Sequence, residues 1–395
     1  MRRPFAAVSV LALALAAAPA IAHDADIATA RQIAFPKLPD GRFVLAVDLH
    51  THSVFSDGNV WPTIRVEEAK RDGLFAMATT EHLEYQPHAK DISHPDRNRS
   101  YEIAKDAAVV KPKATGVEAR PLMVINGSEV TKVAMPPGHI NAVFTTDDNA
   151  LLPKGGLSVP DAVREQLKVA NAQGAFVFWN HPYWYAQKPD GIAAMTPLHQ
   201  ELIKSKLLHG IEVANGADVS DEAFQMALDN NLTILGTSDI HGLIDWDYDL
   251  ANGGHRTATL VLAASQTPDG LKAALKAGDT VAIYKDSLLG KPKNVEAVVR
   301  GTLKLEVGEP LPNTKVAPVK ITNSSPIDYT LENIGKEGFY SEGHLITVKA
   351  GASFTLFATN VQDVTKLQFT FRALNTYIAP RQHLEFTLVT SGKAQ

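Results

Sequence analysis

From Phe43 to about Tyr284 the chain alternates short apolar runs with longer amphipathic stretches, the pattern of a parallel α/β architecture. Phe43-Val44-Leu45-Ala46-Val47 reads as a strand leading into His50, and Thr63 to Gly73 as a helix closed by glycine. Phe75-Ala76-Met77-Ala78 precedes His82, Tyr101 to about Val110 has helical spacing, and Leu122-Met123-Val124-Ile125 precedes Glu129. A strand from Ile140 to Phe144 begins just after His139. A helix from Pro160 to Ala172 carries proline at its first position, and Phe176-Val177-Phe178-Trp179 then runs straight into His181. The alternation continues through a helix at Leu198 to Leu208, a strand at Ile211 to Val213, a helix at Asp221 to Asn230 and a strand at Leu232 to Leu235 before Asp239. A strand at Thr259 to Leu262 and a helix at Asp269 to Lys276 complete it. Seven or eight such units over roughly 240 residues fit a closed barrel better than an open sheet.

After Lys293 the texture changes. Val295 to Leu305, Val319 to Ile321, Leu345 to Val348, Ser353 to Ala358, Leu367 to Phe371 and Leu384 to Val389 are short β-type runs separated by Gly, Pro, Asn and Ser. They predict an all-β sandwich over 293–395, following a barrel over 43–292. At the other end, Arg2 and Arg3 precede an apolar run from Phe5 to Ile21, which ends in the small-x-small pattern Ala20-Ile21-Ala22. This predicts a signal peptide over 1–22, cleaved after Ala22, a short N-terminal segment over 23–42, and a periplasmic or secreted mature chain without a transmembrane segment.

Composition narrows the chemistry. A net charge of -5 provides no basic field for an extended nucleic acid. With no cysteine in the chain, thiolate catalysis and thiolate metal ligation are excluded, and an exported fold must rest on its core and on bound metals.

Nine imidazoles and carboxylates remain to be explained: His50, His52, Asp57, His82, Glu129, His139, His181, Asp239 and His241, most of them just past an apolar run. Functional side chains concentrate at strand ends in barrels. His50 and His52 are two apart, so on an extended chain their rings point the same way and can bite one cation. Ser238-Asp239-Ile240-His241 repeats that spacing, and Glu129 has two oxygens with which to bridge metals. Neutral imidazole with carboxylate suits zinc, manganese or iron, and the set as a whole suits a cluster of divalent cations.

In order and spacing these motifs resemble those of the PHP (polymerase and histidinol phosphatase) superfamily of metal-dependent phosphoesterases, over about Val44 to Tyr284. Asp48-Leu49-His50-Thr51-His52 with Ser56-Asp57-Gly58 resembles its first motif and Thr80-Glu81-His82 its second. Gly138-His139 with Asn180-His181-Pro182 resembles the third, and Ser238-Asp239-Ile240-His241 the fourth. The resemblance implies a distorted (β/α)7 TIM-like barrel. It implies one metal on His50, His52, Glu129 and Asp239, a second on Glu129, His139 and His181, and a third on Asp57, His82 and His241. The chain departs from the pattern in having Glu81-His82 where Asp-His is common, and in its export signal and β-rich tail. Within the superfamily it is most similar to secreted bacterial phosphodiesterases acting on small organophosphate diesters.

A water between such cations becomes acidic enough to attack phosphorus as hydroxide, so no side-chain nucleophile is needed. His181, His241 and Glu81 are the candidate proton donors, Tyr183 and Trp184 the candidate walls for an ester group, and Arg97 and Arg256 the candidate phosphate contacts. The expected substrate is a small phosphodiester. A phosphomonoesterase acting on a sugar or nucleotide phosphate predicts instead two or more converging arginines or lysines. A non-catalytic, metal-stapled binding module predicts a closed cluster with no open position.

Overall fold

The computed structural model describes residues 32–109, 122–340 and 342–390. The expected signal peptide and its cleavage site lie outside them. No helix among the described residues is long and apolar enough to cross a membrane.

The barrel strands are β1 (Phe43–Asp48), β2 (Ala76–His82), β3 (Met123–Val130), β4 (Ile140–Val143), β5 (Phe176–Trp179), β6 (Gly210–Asn215) with the short β7 (Asp218–Val219) folded back on it, and β8 (Thr233–Thr237). They pair in the order β1-β2-β3-β4-β5-β6, and β8 joins the free side of β6. Just past their ends β8 and β1 meet: Thr51 bridges Ile240 in parallel, the His52 N–H donates to the Ile240 carbonyl at 3.1 Å, and the Asp239 N–H donates to that of His50 at 2.9 Å. This closes the ring.

Apart from the short β7 on β6, pairing is parallel except at β4, which runs antiparallel to both β3 and β5. The all-parallel expectation fails there because the loop 131–139 holds no helix, and a parallel crossover needs one or a connection of similar length. Helices α1 (Pro62–Arg71), α2 (Arg99–Ala108), α3 (Val159–Ala172), α4 (Pro197–Lys204), α5 (Asp221–Asp229), α6 (Ile244–Asp247) and α7 (Pro268–Ala277) fill the other connections. Proline opens α1, α3, α4 and α7, where its missing N–H costs nothing.

Beyond the ring, β9 (Ala258–Ala263) lies antiparallel to β1, and β10 (Thr280–Tyr284) and β11 (Ser287–Gly290) form a hairpin on β9. Next comes α8 (Pro292–Thr302), in a segment whose valines predict a β run from 295. Val295, Val298, Val299 and Thr302 are all buried, which is the spacing of one helix face, and this periodicity outweighs the strand preference of valine.

The remaining strands are β12 (Leu303–Val307), β13 (Ala317–Asn323), β14 (Tyr329–Asn333), β15 (Leu345–Val348), β16 (Ser353–Ala358), β17 (Gln368–Ala379) and β18 (Gln382–Val389). β12-β13-β16 make one sheet and β15-β14-β17-β18 the other, with buried and less buried residues alternating along β13 and β14 as in a sandwich. β11 pairs in parallel with β17, so one sheet runs without a break from barrel to sandwich.

Candidate metal centre

All nine sequence-predicted ligands meet at one end of the barrel. In the parallel strands this is the C-terminal end: His82 closes β2, Glu129 lies near the end of β3, and His50, His181 and Asp239 follow β1, β5 and β8. His139 immediately precedes β4, whose reversed direction brings its start to the same end. His82 and Glu129 are direct register partners across β2 and β3. Apolar residues further back along these strands, including Leu45, Val47, Phe176, Phe178 and Leu235, form a single buried cluster.

Local backbone aims the ligands. Asp239 (φ 50) and His181 (φ 24) both sit at positive φ, a conformation that ordinary residues adopt at a cost and that recurs at functional sites. The turn carrying Asp57 folds against its own chain at Gly58, where a Cβ would lie 2.7 Å from the His52 carbonyl carbon. Only glycine permits that approach.

His50 Nε2 and His52 Nε2 stand 3.1 Å apart, and each is 3.1 Å from Asp239 Oδ1. Glu129 Oε2 lies 3.5 Å from His50 Nε2, 3.3 Å from His52 Nε2 and 2.9 Å from His82 Nδ1, while its Oε1 lies 2.9 Å from His139 Nδ1. Asp57 spans His241 Nε2 at 3.1 Å and His82 Nε2 at 3.2 Å. Four overlapping groups have ligand atoms within 4.8 Å of one another: His52 with Asp57, His82 and His241; His50 with His52 and Glu129; His50 with His181 and Asp239; and His82 with Glu129 and His139.

Several of these atoms are buried without a hydrogen-bond partner: Glu129 Oε2, Asp239 Oδ1, Asp57 Oδ1 and both ring nitrogens of His139. Buried polar atoms are nearly always satisfied. Convergent nitrogen and oxygen atoms left without partners fit divalent cations.

Charge tells the same story. Burial acts to depress the His50 imidazole, but the Asp239, Glu212 and Glu129 carboxylates overcome it and hold its pKa well above the ordinary value. Burial is likewise overridden at His82, raised to about 10 by Glu129 and Asp57, and at His241, raised to about 9 by Asp57 and Asp239. Despite their burial, Glu129, Asp57 and Asp239 are held below the usual carboxylate range by the surrounding imidazoles. A nest of carboxylates that draws protons this strongly draws metal ions for the same reason.

Three supporting residues lie outside the nine, and only one of them falls in a motif. Glu212, on β6, is fully buried and accepts from His50 Nδ1 at 2.7 Å and from the His181 N–H at 2.7 Å. Asn180 donates from Nδ2 to Glu129 Oε1 at 2.7 Å. The buried Arg65 guanidinium donates to the carbonyls of His52 at 2.8 Å, Ile240 at 3.2 Å and His241 at 2.9 Å, joining the two histidine-bearing segments. A lone Glu inside a strand and an Arg inside a helix look ordinary in sequence; the Asn180-His181-Pro182 tripeptide hints at Asn180 alone.

A cavity of about 570 Å3 opens over the cluster, and Tyr183 and Trp184 line it. The structure corrects the other side-chain expectations. Glu81 does not line the cavity: its carboxylate accepts from the Ser53 N–H and from the hydroxyls of Ser53, Ser56 and Ser100. Arg256 is buried between Asp72 at 2.7 Å and Asp48 at 3.1 Å, so it faces no substrate. Arg97 ties down its own loop, donating to the Leu83 and His94 carbonyls and to Gln86.

Over 91% of its length the chain is similar to 98% of a crystal structure described as a two-domain protein containing a predicted PHP-like metal-dependent phosphoesterase, from Bacteroides vulgatus ATCC 8482, at 36% sequence identity and a TM-score of 0.78. A weaker likeness, at 17% identity and a TM-score of 0.39, joins 65% of the chain to 96% of PsfC from Pseudomonas syringae PB-5123. A family model described as an Ig-like domain matches residues 303–389. No curated protein matches the chain.

Proposed function

Because the chain belongs to the PHP-like metal-dependent phosphoesterases, we propose that it hydrolyses small phosphodiesters at this centre, as a periplasmic or secreted enzyme. The observation that carries the reading is the convergence of the nine candidate ligand side chains, several with unpartnered polar atoms, in one cluster of which all but His50 and His52 line an open cavity. That opening is also what speaks against a closed, purely structural metal cluster.

His50, His52, Glu129 and Asp239 would hold one cation, Glu129, His139 and His181 a second, and Asp57, His82 and His241 a third, with zinc, manganese or iron as the metal. Such cations supply an acidified water and a sink for phosphoryl charge. The chain's own residues do the rest. Glu212 fixes His50 as the tautomer whose Nε2 lone pair faces Glu129 and Asp239. Of the two imidazoles that line the cavity as candidate donors, His181 would be committed to the second cation, so we assign delivery of a proton to the departing ester oxygen to His241 when only two cations are bound. His241 is the more accessible, its side chain 37% exposed against 8% for His181.

The preference for a diester is supported by the lining. Among the described residues no arginine or lysine lines this cavity, and its ionisable walls are Asp57, His82, Glu129, His139, His181, Asp218, Asp239 and His241 with the tyrosines. A monoester dianion gains most from a cationic pocket. A singly charged diester, with two groups to place, suits a roomy, aromatic mouth.

The test is elemental analysis of purified protein together with a panel of phosphomono-, di- and triesters under added manganese or zinc. His50→Ala and Asp239→Asn are each expected to lose metal and at least about a hundredfold in rate. Undiminished turnover of bis(4-nitrophenyl) phosphate by metal-depleted His50→Ala protein would refute the reading.

A further inference from the structure

A second cavity, of about 530 Å3, lies beside the first and shares Tyr183 and Val219 with it. Part of its wall comes from the C-terminal sandwich, through Tyr377, Pro380 and Arg381. Tyr377 is the register partner of Leu289 across β11 and β17, so main-chain pairing fixes this wall relative to the barrel.

Three phenol rings, those of Tyr183, Tyr284 and Tyr377, line the cavity. Two are pinned by their hydroxyls: Tyr183 donates to the Asp218 carbonyl at 3.2 Å and Tyr284 to the Ala217 carbonyl at 2.5 Å. Rings held in this way act as fixed, flat, apolar walls. The ionic lining is mixed, with Asp221, Glu222 and Arg381, and Arg381 Nε donates to Asp221 at 3.0 Å.

Arg381 occupies its place against local preference. Ala379 pairs with Gln382, so Pro380 and Arg381 are the whole connection between β17 and β18, and Arg381 sits at φ 58. Glycine or asparagine takes that position without strain. The Arg381 side chain is 89% exposed, so packing does not account for an arginine there.

We propose that this second cavity binds the ester group remote from the bond being cleaved, and that this group is an uncharged, hydroxylated ring of the size of a monosaccharide. The inference rests on the phosphodiesterase reading of the adjoining metal centre. A further phosphate or carboxylate on the substrate would face Asp221, Glu222 and the neighbouring Asp218. A cationic group would face Arg381, and an alkyl chain would cover carboxylates and guanidinium without pairing them. A sugar ring places its C–H face on the phenols and offers hydroxyls that both donate to carboxylates and accept from the guanidinium. The C-terminal sandwich then contributes directly to substrate selection.

The experiment uses full-length, metal-loaded protein and three 4-nitrophenyl phosphodiesters that differ in the second ester group: methyl, choline, or C6 of glucose. The glucose ester is expected to exceed the methyl ester in kcat/KM by about tenfold or more, with no such gain for choline. In Arg381→Gly, which relaxes the backbone and so keeps or raises Tm, and in Tyr377→Ala, the glucose-to-methyl ratio is expected to fall toward unity. Equal use of all three esters, preference for choline, or a ratio unchanged in both variants overturns the proposal. If none of the esters is cleaved, saturation-transfer NMR with glucose 6-phosphate separates the two readings. Saturation transfer to the sugar protons in the unaltered protein that disappears in Tyr377→Ala keeps the sugar subsite while the phosphodiesterase reading fails. No transfer in the unaltered protein removes the subsite.

Discussion

Glu212 and His50 form a fully buried pair, the imidazole Nδ1–H donating to the carboxylate at 2.7 Å. The same carboxylate accepts from the Thr237 hydroxyl at 2.7 Å, from Asn215 Nδ2 at 2.9 Å and from the His181 N–H at 2.7 Å. One side chain therefore sets the tautomer of one proposed ligand, the backbone position of another and the end of β8, which leads into Asp239. Glutamine has a similar shape but replaces one acceptor oxygen with a donor. Glu212→Gln is expected to weaken metal binding by about 10–100-fold, as loss of an outer-shell partner does. Chelator competition measures this directly, and activity should return at saturating metal. An unchanged metal affinity would remove Glu212 from this role.

Metal loading is expected to release protons. Without metal, His82 titrates at about 10 and His241 at about 9, because carboxylates outweigh the effect of burial, so both carry protons at pH 7.5. Each must lose one to ligate. Apparent affinity should therefore rise with pH until about pH 9 to 10 is passed, where His82 and His241 lose their protons unaided. Calorimetric titration with zinc or manganese in buffers of different ionisation enthalpy counts the protons. Release of fewer than one per protein at pH 7.5 contradicts this picture.

Much of this centre is legible in the chain because barrel ligands follow strands, and apolar runs such as Phe176 to Trp179 announce where strands end. The H-x-H spacing at His50 and the D-x-H spacing at Asp239 then pick out side chains that the fold brings into one cluster. Residues acting through others leave no such mark. Glu212 sits amid strand residues, and Arg65 reads as one more charge on an amphipathic helix, since a contact made across 175 positions, as with Ile240, has no local signature. Arg256 misleads for a related reason. A charge near a catalytic loop looks available to substrate until the fold shows which carboxylates already enclose it. The valines of α8 mislead when composition is weighed above period.

Arg256 neutralises two buried carboxylates, and Asp48 in turn holds Ser238, whose N–H and hydroxyl donate to it at 3.1 and 2.6 Å beside Asp239. Burial acts against its charge, but Asp72 and Asp48 raise its pKa further. Removing one partner from such a network costs about 3–5 kcal/mol. Arg256→Met is expected to lower Tm steeply and reduce the yield of folded protein, while the folded fraction keeps its KM. A raised KM at undiminished Tm would instead make Arg256 a substrate contact.

Glu81 is the analogous case among carboxylates. Its oxygens accept from the Ser53 and Ser56 hydroxyls at 2.5 Å and from the Ser100 hydroxyl at 2.6 Å, so it has no free acceptor for proton transfer to a substrate. Glu81→Gln introduces a donor facing donors and should cost about 2–3 kcal/mol of stability. Chemical denaturation should detect that loss, while the limbs of the pH–rate profile stay in place. Disappearance of one limb would restore Glu81 as the proton donor.

His199 makes acid stability a probe of the loop that carries His139. It stacks on Trp179 at 3.8 Å, and its Nε2 donates to the Pro137 carbonyl at 2.8 Å. Burial lowers its pKa from 6.5 to about 4, so it is neutral in the native state. A native pKa below the unfolded one means that the unfolded chain binds the proton first. This contribution is fully present above pH 6.5 and is lost as pH falls toward 4, amounting to about 3 kcal/mol. His209, also lowered to about 4 chiefly by burial, adds in the same direction. In the presence of chelator, which removes the separate effect of metal release, Tm is expected to fall between pH 6.5 and 4. In His199→Gln, which keeps a donor for Pro137 but cannot titrate, the slope should be clearly shallower. Identical slopes in the two proteins would show that His199 is protonated without cost in the native state.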